Sequence, residues 1–548
     1  MKGYITSEDR FLFPDTDVSA ALPAEVRVRM PRNGRAGVEM LIPMQSAEAH
    51  LTVDTPDFTV EYYRLHKIPV EYNTASGTSD QVGEMVLMTP SAECPPYATR
   101  LAPFYVYDCL EPLSDGRIAG EDGLLAAYIC LVPKEGTAAG EYAVTLSVEA
   151  DGESARITLR ARVYDVRVEE GGFSMIHWHS SRPASLARGA DCEEGSPAYM
   201  NLLRRHARAM RRMHQNFFAC YPDGRAVVSR EPLVFDFSYM KPTLELFFSE
   251  GFTHVMTGGM LSVGYFPDGR PDSKTGDFKV KFDTSILADS AEGYAFLSAY
   301  MKAFSAFLKE NGWLERAYFQ VVDEPDVHCP DEDAMKRRRI SYYMAANILR
   351  RYVPNARIIE AVKTTLFKSG VDVMVPLTES YQQNKEEFDA MIEAGDEVWG
   401  YTCCVPEGFW LNRFLDKELN QNRLLYWGFE SCRMSGYLHW AWNQFGRGMD
   451  PFVATSCYNP TGLGTNFPCG DAFIVYPGPA DNTPWISMRL EAQRKGMEDA
   501  CLLRALREKD KAKHDALVAS VFTDFLHYNP DPAALAEAEE ALYLSMEG

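Results

Sequence analysis

The chain has 548 residues, 46% hydrophobic and 24% charged, enough apolar mass for large cores and too much for a mostly disordered polymer. Its 55 Lys and Arg face 77 Asp and Glu, a formal charge of −22, which argues against a nucleic-acid groove because such a groove needs concentrated positive charge. No window holds the roughly 18 consecutive apolar residues of a membrane helix. The start MKGYITSEDRFLFPD lacks the basic and apolar regions of a signal peptide, so a cytoplasmic location is expected. The 12 Cys are scattered without a CxxC pair, which reads as reduced thiols rather than a disulfide framework or zinc ribbon.

Residues 1–170 read as an antiparallel β-sandwich of short alternating runs separated by Pro, Gly and Asp. Runs such as EVRVRM and EMLIPM carry the pattern, and in EYAVTLSVEADGESARITLRARVYDV the pair Asp151–Gly152 marks a tight hairpin turn. The sandwich could brace the next domain or form an oligomer edge.

After Gly171 and Gly172 the rhythm changes to short apolar strands alternating with helical segments, the signature of parallel β/α units. Candidate strands span Phe173–Ser180, Gln215–Tyr221, Thr253–Gly258, Arg316–Asp323, Arg357–Val362, Val371–Thr378, Glu397–Val405 and Gly436–Asn443. Between them, Leu297, Met301, Phe304 and Leu308 follow helical spacing before a stop at Asn311–Gly312, and Leu203, Ala207, Met210 and His214 form a similar stripe. The expected fold is a (β/α)8 TIM barrel over residues 171–510, followed by a helical tail over 511–548. Such barrels place their chemistry at the carboxyl ends of the strands.

The fourth strand ends in AYFQVVDEPD, where an apolar run meets Asp323 and Glu324 ahead of Pro325. Proline biases the residue before it toward an extended backbone, so both acids are expected at the barrel mouth. The first strand carries His177, Trp178 and His179, and two His one residue apart face the same way, as a shared metal requires. The fifth and sixth strands end in Glu360 and Glu379 without a His, while His254 and His439 sit within the third and eighth, so no metal is expected. Trp440 and Trp442 share one face of the last strand, and His439, Ala441 and Asn443 the other. With Trp178, Trp399, Tyr401 and Trp410 they supply aromatic planes beside carboxylates and amides, a surface suited to carbohydrate.

The DEP strand end, YTCCVPEGFWLNRFLD, NRLLYWGFESCRMSGYLHWAWNQF and GDAFIVYPGPADNTPWISMRLEAQRKGMEDACLLRAL together resemble glycoside hydrolase family 123 and the related domain of unknown function 4091. Within the last segment the family pattern falls on Gly470–Asp471, Tyr476–Gly478, Arg489–Glu491, Gly496, Glu498 and Asp499. The resemblance spans about Phe173 to Leu506. It implies a retaining β-N-acetylhexosaminidase, β-N-acetylgalactosaminidase-like, in which the substrate's 2-acetamido group is the nucleophile. Glu324 would then be the general acid and base, with Asp323 orienting the acetamide.

The candidate substrate-binding residues are Trp178, His179, His254, Glu379, Tyr381, Tyr401, Glu407, Trp410, Trp440 and Asn443, with a carbohydrate as partner and no cofactor. Three alternatives remain open. The first is a retaining glycosidase acting on a non-acetamido sugar, with Glu324 as acid/base and Glu407 as nucleophile. The others are a carbohydrate-binding protein without turnover and a metal hydrolase built on His177 and His179.

Overall fold

In the strand Glu153–Tyr164 every second residue from Ile157 to Val163 is buried, as expected of a sheet with one face on a core. It pairs antiparallel with Gly140–Ala150, and the turn residues Asp151 and Gly152 take φ +53° and +76°, the left-handed pair that a two-residue hairpin requires. The computed structural model describes residues 1–74, 92–186, 192–263, 276–327, 329–445, 449–458 and 466–547. This hairpin belongs to a five-stranded sheet that also contains Glu25–Pro31, Glu48–Asp54 and Arg117–Ala119. It faces a seven-stranded sheet across an apolar layer that includes Val38, Met40, Leu51, Ile129, Leu146 and Leu159.

Beyond Gly172 come the short parallel strands: Ser174–His177, Phe217–Ala219, His254–Gly258, Ala317–Gln320, Arg357–Val362, Val373–Pro376, Glu397–Val398 continued by Gly400–Thr402, and Gly436–His439. They form two hydrogen-bonded sheets, of six and three strands, where a single closed barrel was expected. Leu377 and Tyr401 bridge them on one side. On the other, between the first and second strands, side-chain amides take the place of a backbone ladder. Met175 N donates to Asn216 Oδ1 at 2.9 Å and His177 N to Gln215 Oε1 at 3.1 Å, while Asn216 Nδ2 donates to Phe173 O at 3.1 Å. All eight strand positions feed one inner cluster, with Ile176, Phe217, Met256, Tyr318, Ile359, Val373, Trp399 and Leu438 among its members.

The helix Ala291–Glu310 is capped by Ser290 and buries Leu297, Met301, Phe304 and Leu308 as the spacing predicts. His214 departs from its predicted stripe. The helix Pro197–Arg212 ends before it, and His214, at φ +63°, bridges Glu170 at 2.9 Å and Glu498 at 3.0 Å. A three-stranded sheet of Leu261–Val263, Phe278–Val280 and Asp283–Leu287 follows the third strand and lies outside the predicted pattern. Among the described residues no helix is long and apolar enough to cross a membrane.

One late helix, Met488–Lys509, joins the sandwich, the helices around the parallel strands and the last helix. Its start extends the strand Pro484–Ser487, which pairs with Phe104–Leu113 as part of the seven-stranded sheet. Its buried polar face is ion-paired throughout. Arg489 meets Asp108 at 2.9 Å, Glu491 holds Arg212, Arg494 joins Glu491 and Glu498 at 2.9 Å each, Lys495 meets Glu539 at 3.2 Å, and Asp499 receives Arg423 at 2.5 Å. Glu539 lies in the last helix, Pro532–Met546, whose Glu540 also accepts Arg29 of the sandwich at 2.9 Å. The family-pattern residues Arg489, Glu491, Glu498 and Asp499 thus work as fasteners. Replacing Arg489 with Met strands Asp108 as an unpaired buried charge, and denaturant unfolding should show a loss of about 3–5 kcal/mol; a loss below about 1 kcal/mol would contradict this role.

Candidate active site

The strand Ala317–Gln320 is buried along its whole length, and the chain beyond it is fastened on both sides. On one side, Gly259 N donates to Gln320 O at 2.6 Å and Met260 N to Val321 O at 2.8 Å. On the other, Val321 N and Val322 N donate to Glu360 Oε1 at 2.7 and 3.3 Å, and Tyr342 adds its hydroxyl to the same oxygen at 3.0 Å. Asp323 and Glu324 follow.

Glu324 is left-handed, at φ +47°, where the following proline predicted an extended backbone. The surrounding bonds override that bias. Buried Arg338 donates to Pro325 O at 3.2 Å and to Val327 O at 2.7 Å. Asp326 accepts Thr364 N and Thr364 Oγ1, both at 2.7 Å, and Lys363 N at 3.1 Å, tying the DEPD loop to the next strand end. A non-glycine residue held in this region costs on the order of 1–3 kcal/mol, and such strain concentrates at functional sites.

The Tyr401 hydroxyl donates to Glu324 Oε1 at 2.6 Å, and Gln320 Nε2 to Asp323 Oδ1 at 3.1 Å. Asp323 is exposed and Glu324 half-buried, while neighbouring protein packs around both and removes part of their hydration. That desolvation, followed by the charge of Glu324, raises Asp323 above the ordinary carboxylate range. Burial raises Glu324 as well, with the Tyr401 hydrogen bond acting against it. Both acids therefore hold a proton to higher pH than isolated carboxylates do, Asp323 up to about 7.

A cavity of about 380 Å³ lies at the ends of the first and second strands, lined by Trp178, His179, Tyr199, Tyr221, Asp223 and Arg225 among others. Burial raises the Tyr221 hydroxyl well above its ordinary range, and the charge of Asp323 adds to that shift. Trp178 stands edge-on to Tyr221 at 6.2 Å, and His179 packs on Phe247 with burial pulling its pKa down to about 4. Trp440 is half-buried, with Nε1 donating to Asp471 Oδ2 at 3.0 Å. Trp410 is half-buried against the large core.

Other predicted residues take different places. His254 begins its strand, so it lies at the opposite end from the acids, stacked on Phe217 at 4.7 Å. Tyr381 belongs to the helix layer, where its hydroxyl donates to Asp389 at 2.7 Å and its ring meets Phe388 and Phe525. Asn443 is buried and laces the first strand's exit, accepting Ser180 N at 2.7 Å and donating to Ser180 O at 3.1 Å. Glu379 and Glu407 are both 0% exposed, and Glu407 sits within the field of Lys417 and Tyr97. His177 faces the Arg413 guanidinium at 3.4 Å, a cation where the metal reading needs a ligand set. Arg338, Asp326 and Lys281 were missed, and Glu360 was noted only as the acid that ends the fifth strand. Of the three, only Asp326 had a visible signal, its place in the DEPD run.

A family model described as glycoside hydrolase 123, catalytic domain, matches residues 232–506. Among solved structures, a family 123 glycoside hydrolase from Clostridium perfringens, studied for glycolipid glycan hydrolysis, aligns over 99% of this chain and 97% of its own. The identity is 14% and the TM-score 0.68, a likeness of fold. A monomeric β-xylosidase from Caulobacter crescentus CB15 aligns over 60% of this chain and 68% of its own, with 11% identity and a TM-score of 0.37, too loose to carry an argument. No curated protein sequence matches.

Burial raises Glu360 well above the ordinary range, so the folded state binds its proton more tightly than the unfolded state. Its contribution to stability is full below the unfolded pKa and is lost as pH rises toward the folded one. Glu360→Gln removes that loss, so its stability relative to wild type should rise by about 1 kcal/mol or more between pH 5 and pH 8 in denaturant unfolding. Parallel stability curves would refute the assignment.

Proposed function

This chain belongs to glycoside hydrolase family 123, and from that membership we propose that it is a retaining β-N-acetylhexosaminidase, β-N-acetylgalactosaminidase-like, whose nucleophile is the substrate's own 2-acetamido group. The observation that carries the reading is the placement of Asp323 and Glu324 as sequence neighbours at one strand end. A retaining enzyme with its own nucleophile needs two carboxyls about 5–5.5 Å apart flanking the scissile bond, which adjacent residues of one chain turn do not readily supply. Substrate assistance needs only one acid at the leaving oxygen and a neighbour at the acetamide.

Glu324, its Oε1 held by Tyr401, gives the proton on Oε2 to the glycosidic oxygen. The C1–O bond breaks with its electron pair leaving on that oxygen, while the acetamide oxygen bonds to C1 and closes an oxazolinium ring. Asp323, held by Gln320, accepts the hydrogen bond of the acetamide N–H and balances the positive charge as it develops. Water then gives a proton to the Glu324 carboxylate and attacks C1 from the face the leaving group vacated. The ring opens, the acetamide returns, and the anomeric configuration is retained.

The two parallel sheets are read as arcs of one (β/α)8 barrel over residues 171–510, with a sandwich over 1–170 and a tail over 511–548. The twelve free thiols support a cytoplasmic site of action.

Chromogenic β-N-acetylgalactosaminide and the matching β-galactoside, assayed side by side, test the reading. Wild type should cleave only the acetamido sugar, with Glu324→Gln lowering kcat/KM by about 100- to 10,000-fold and Asp323→Asn also causing a large loss. Preferential cleavage of the galactoside would overturn substrate assistance.

A further inference from the structure

The second, third and fourth parallel strands run in register, Ala219 beside Met256 and Met256 beside Tyr318, and Gly258 pairs with Gln320 at the next level out. Cys220 keeps to that ladder, its N donating to Met256 O at 3.0 Å and its O accepting Thr257 Oγ1 at 2.6 Å. Tyr221 therefore leaves its strand level with Gln320, the residue whose amide holds Asp323. Neighbouring strands lie about 4.8 Å apart, so Tyr221 stands two spacings, about 10 Å, along the mouth from the strand that carries the acids. The Lys281 ammonium lies 5.1 Å over its ring.

Tyr221 also lines the cavity of about 380 Å³, whose described lining includes Trp178 and Tyr199 but not Asp323, Glu324 or Tyr401. The cavity wall is built in advance. Arg225 donates to Asp223 Oδ2 at 2.7 Å and to Glu194 Oε1 at 3.0 Å, with its guanidinium 4.4 Å over the Tyr239 ring, and Asp223 N donates to the Tyr239 hydroxyl at 2.8 Å. Tyr199 donates its hydroxyl to Ser181 O at 3.0 Å. In the lining Arg182 and Arg225 are matched in number by Glu194 and Asp223, so it carries no net charge. Aromatic planes beside paired donors and acceptors, with no net charge, fit an uncharged sugar ring better than a uronate or a sulfated sugar.

We propose that this cavity is a second sugar subsite, which takes a neutral hexose next to the N-acetylhexosamine being cleaved, so that the enzyme reads at least two sugar units. The inference rests on the glycosidase reading above and adds to it the length of the substrate. The reacting sugar lies at the acids on the fourth strand, and the glycan runs along the mouth to the cavity at the first and second. The hexose is either the leaving group or a unit on the non-reducing side, and both present the same ring chemistry to the wall.

Three substrates test it in the full chain: methyl β-N-acetylgalactosaminide, a disaccharide in which galactose replaces the methyl leaving group, and the methyl glycoside lengthened by one galactose on its non-reducing side. Wild type should favour one of the two lengthened substrates over the methyl glycoside by about tenfold or more in kcat/KM, and the one it favours identifies the side. Tyr239→Ala removes one wall of the cavity and Thr243→Trp fills it, with thermal melts as a check on folding. Either folded variant should abolish most of that preference, through KM more than kcat. Equal wild-type kcat/KM on all three substrates, or a preference that a folded variant keeps, overturns the proposal. Failure of the parent reading is distinct, because Glu324→Gln and Asp323→Asn would then keep wild-type activity, and the comparison passes to the matching β-galactosides.

Discussion

The fold depends on the pairing of charges that have been taken out of water. Arg423, Arg489, Arg494, Glu491, Glu498, Asp499 and Glu539 are all essentially without solvent, and each meets an opposite charge. A buried ion without its partner is costly, so this network tolerates few alternative arrangements. It joins three distant stretches of sequence, since Asp108 lies in the sandwich, Arg212 beside the barrel, and Glu539 in the last helix.

That network also reaches the mouth. Arg489 Nη1 donates to Gly470 O at 2.7 Å, which sets the turn into Asp471. Asp471 is buried, holds Trp440 through its indole N–H, and lies 3.2 Å from His439 Nε2. Because His439 Nδ1 accepts Ala441 N at 3.1 Å, the neutral ring carries its hydrogen on Nε2, the nitrogen that faces Asp471. A rigid scaffold of this kind can hold Glu324 in a left-handed conformation and keep two acids side by side at one strand end.

Much of this was legible in the sequence. Alternation and an Asp-Gly turn marked the hairpin, and all eight predicted strand positions are occupied. Asp323 and Glu324 were found because an apolar strand running into acids before a proline is a local pattern, and Tyr401 was found by its place on the seventh strand. What failed was the direction of side chains and the partners they meet. Tyr381 reads as a candidate sugar contact, but a helix carries it away to Asp389. Asn443 reads as a sugar ligand, but its amide satisfies the backbone of Ser180. Lys281 has no motif at all, and only an inserted sheet absent from the periodic pattern brings it over the ring of Tyr221. The motif residues of the late helix carried the family resemblance and proved to be ion-pair fasteners.

The central claim, that the substrate supplies its own nucleophile between these two acids, is tested most directly by progressive fluorination of the acetamido methyl group in an otherwise constant β-N-acetylgalactosaminide. Each fluorine weakens the carbonyl oxygen as a nucleophile and barely changes its size. The account predicts that kcat/KM falls steeply along the series from acetyl to trifluoroacetyl. A flat series would contradict it and assign the nucleophile to a carboxylate of the protein.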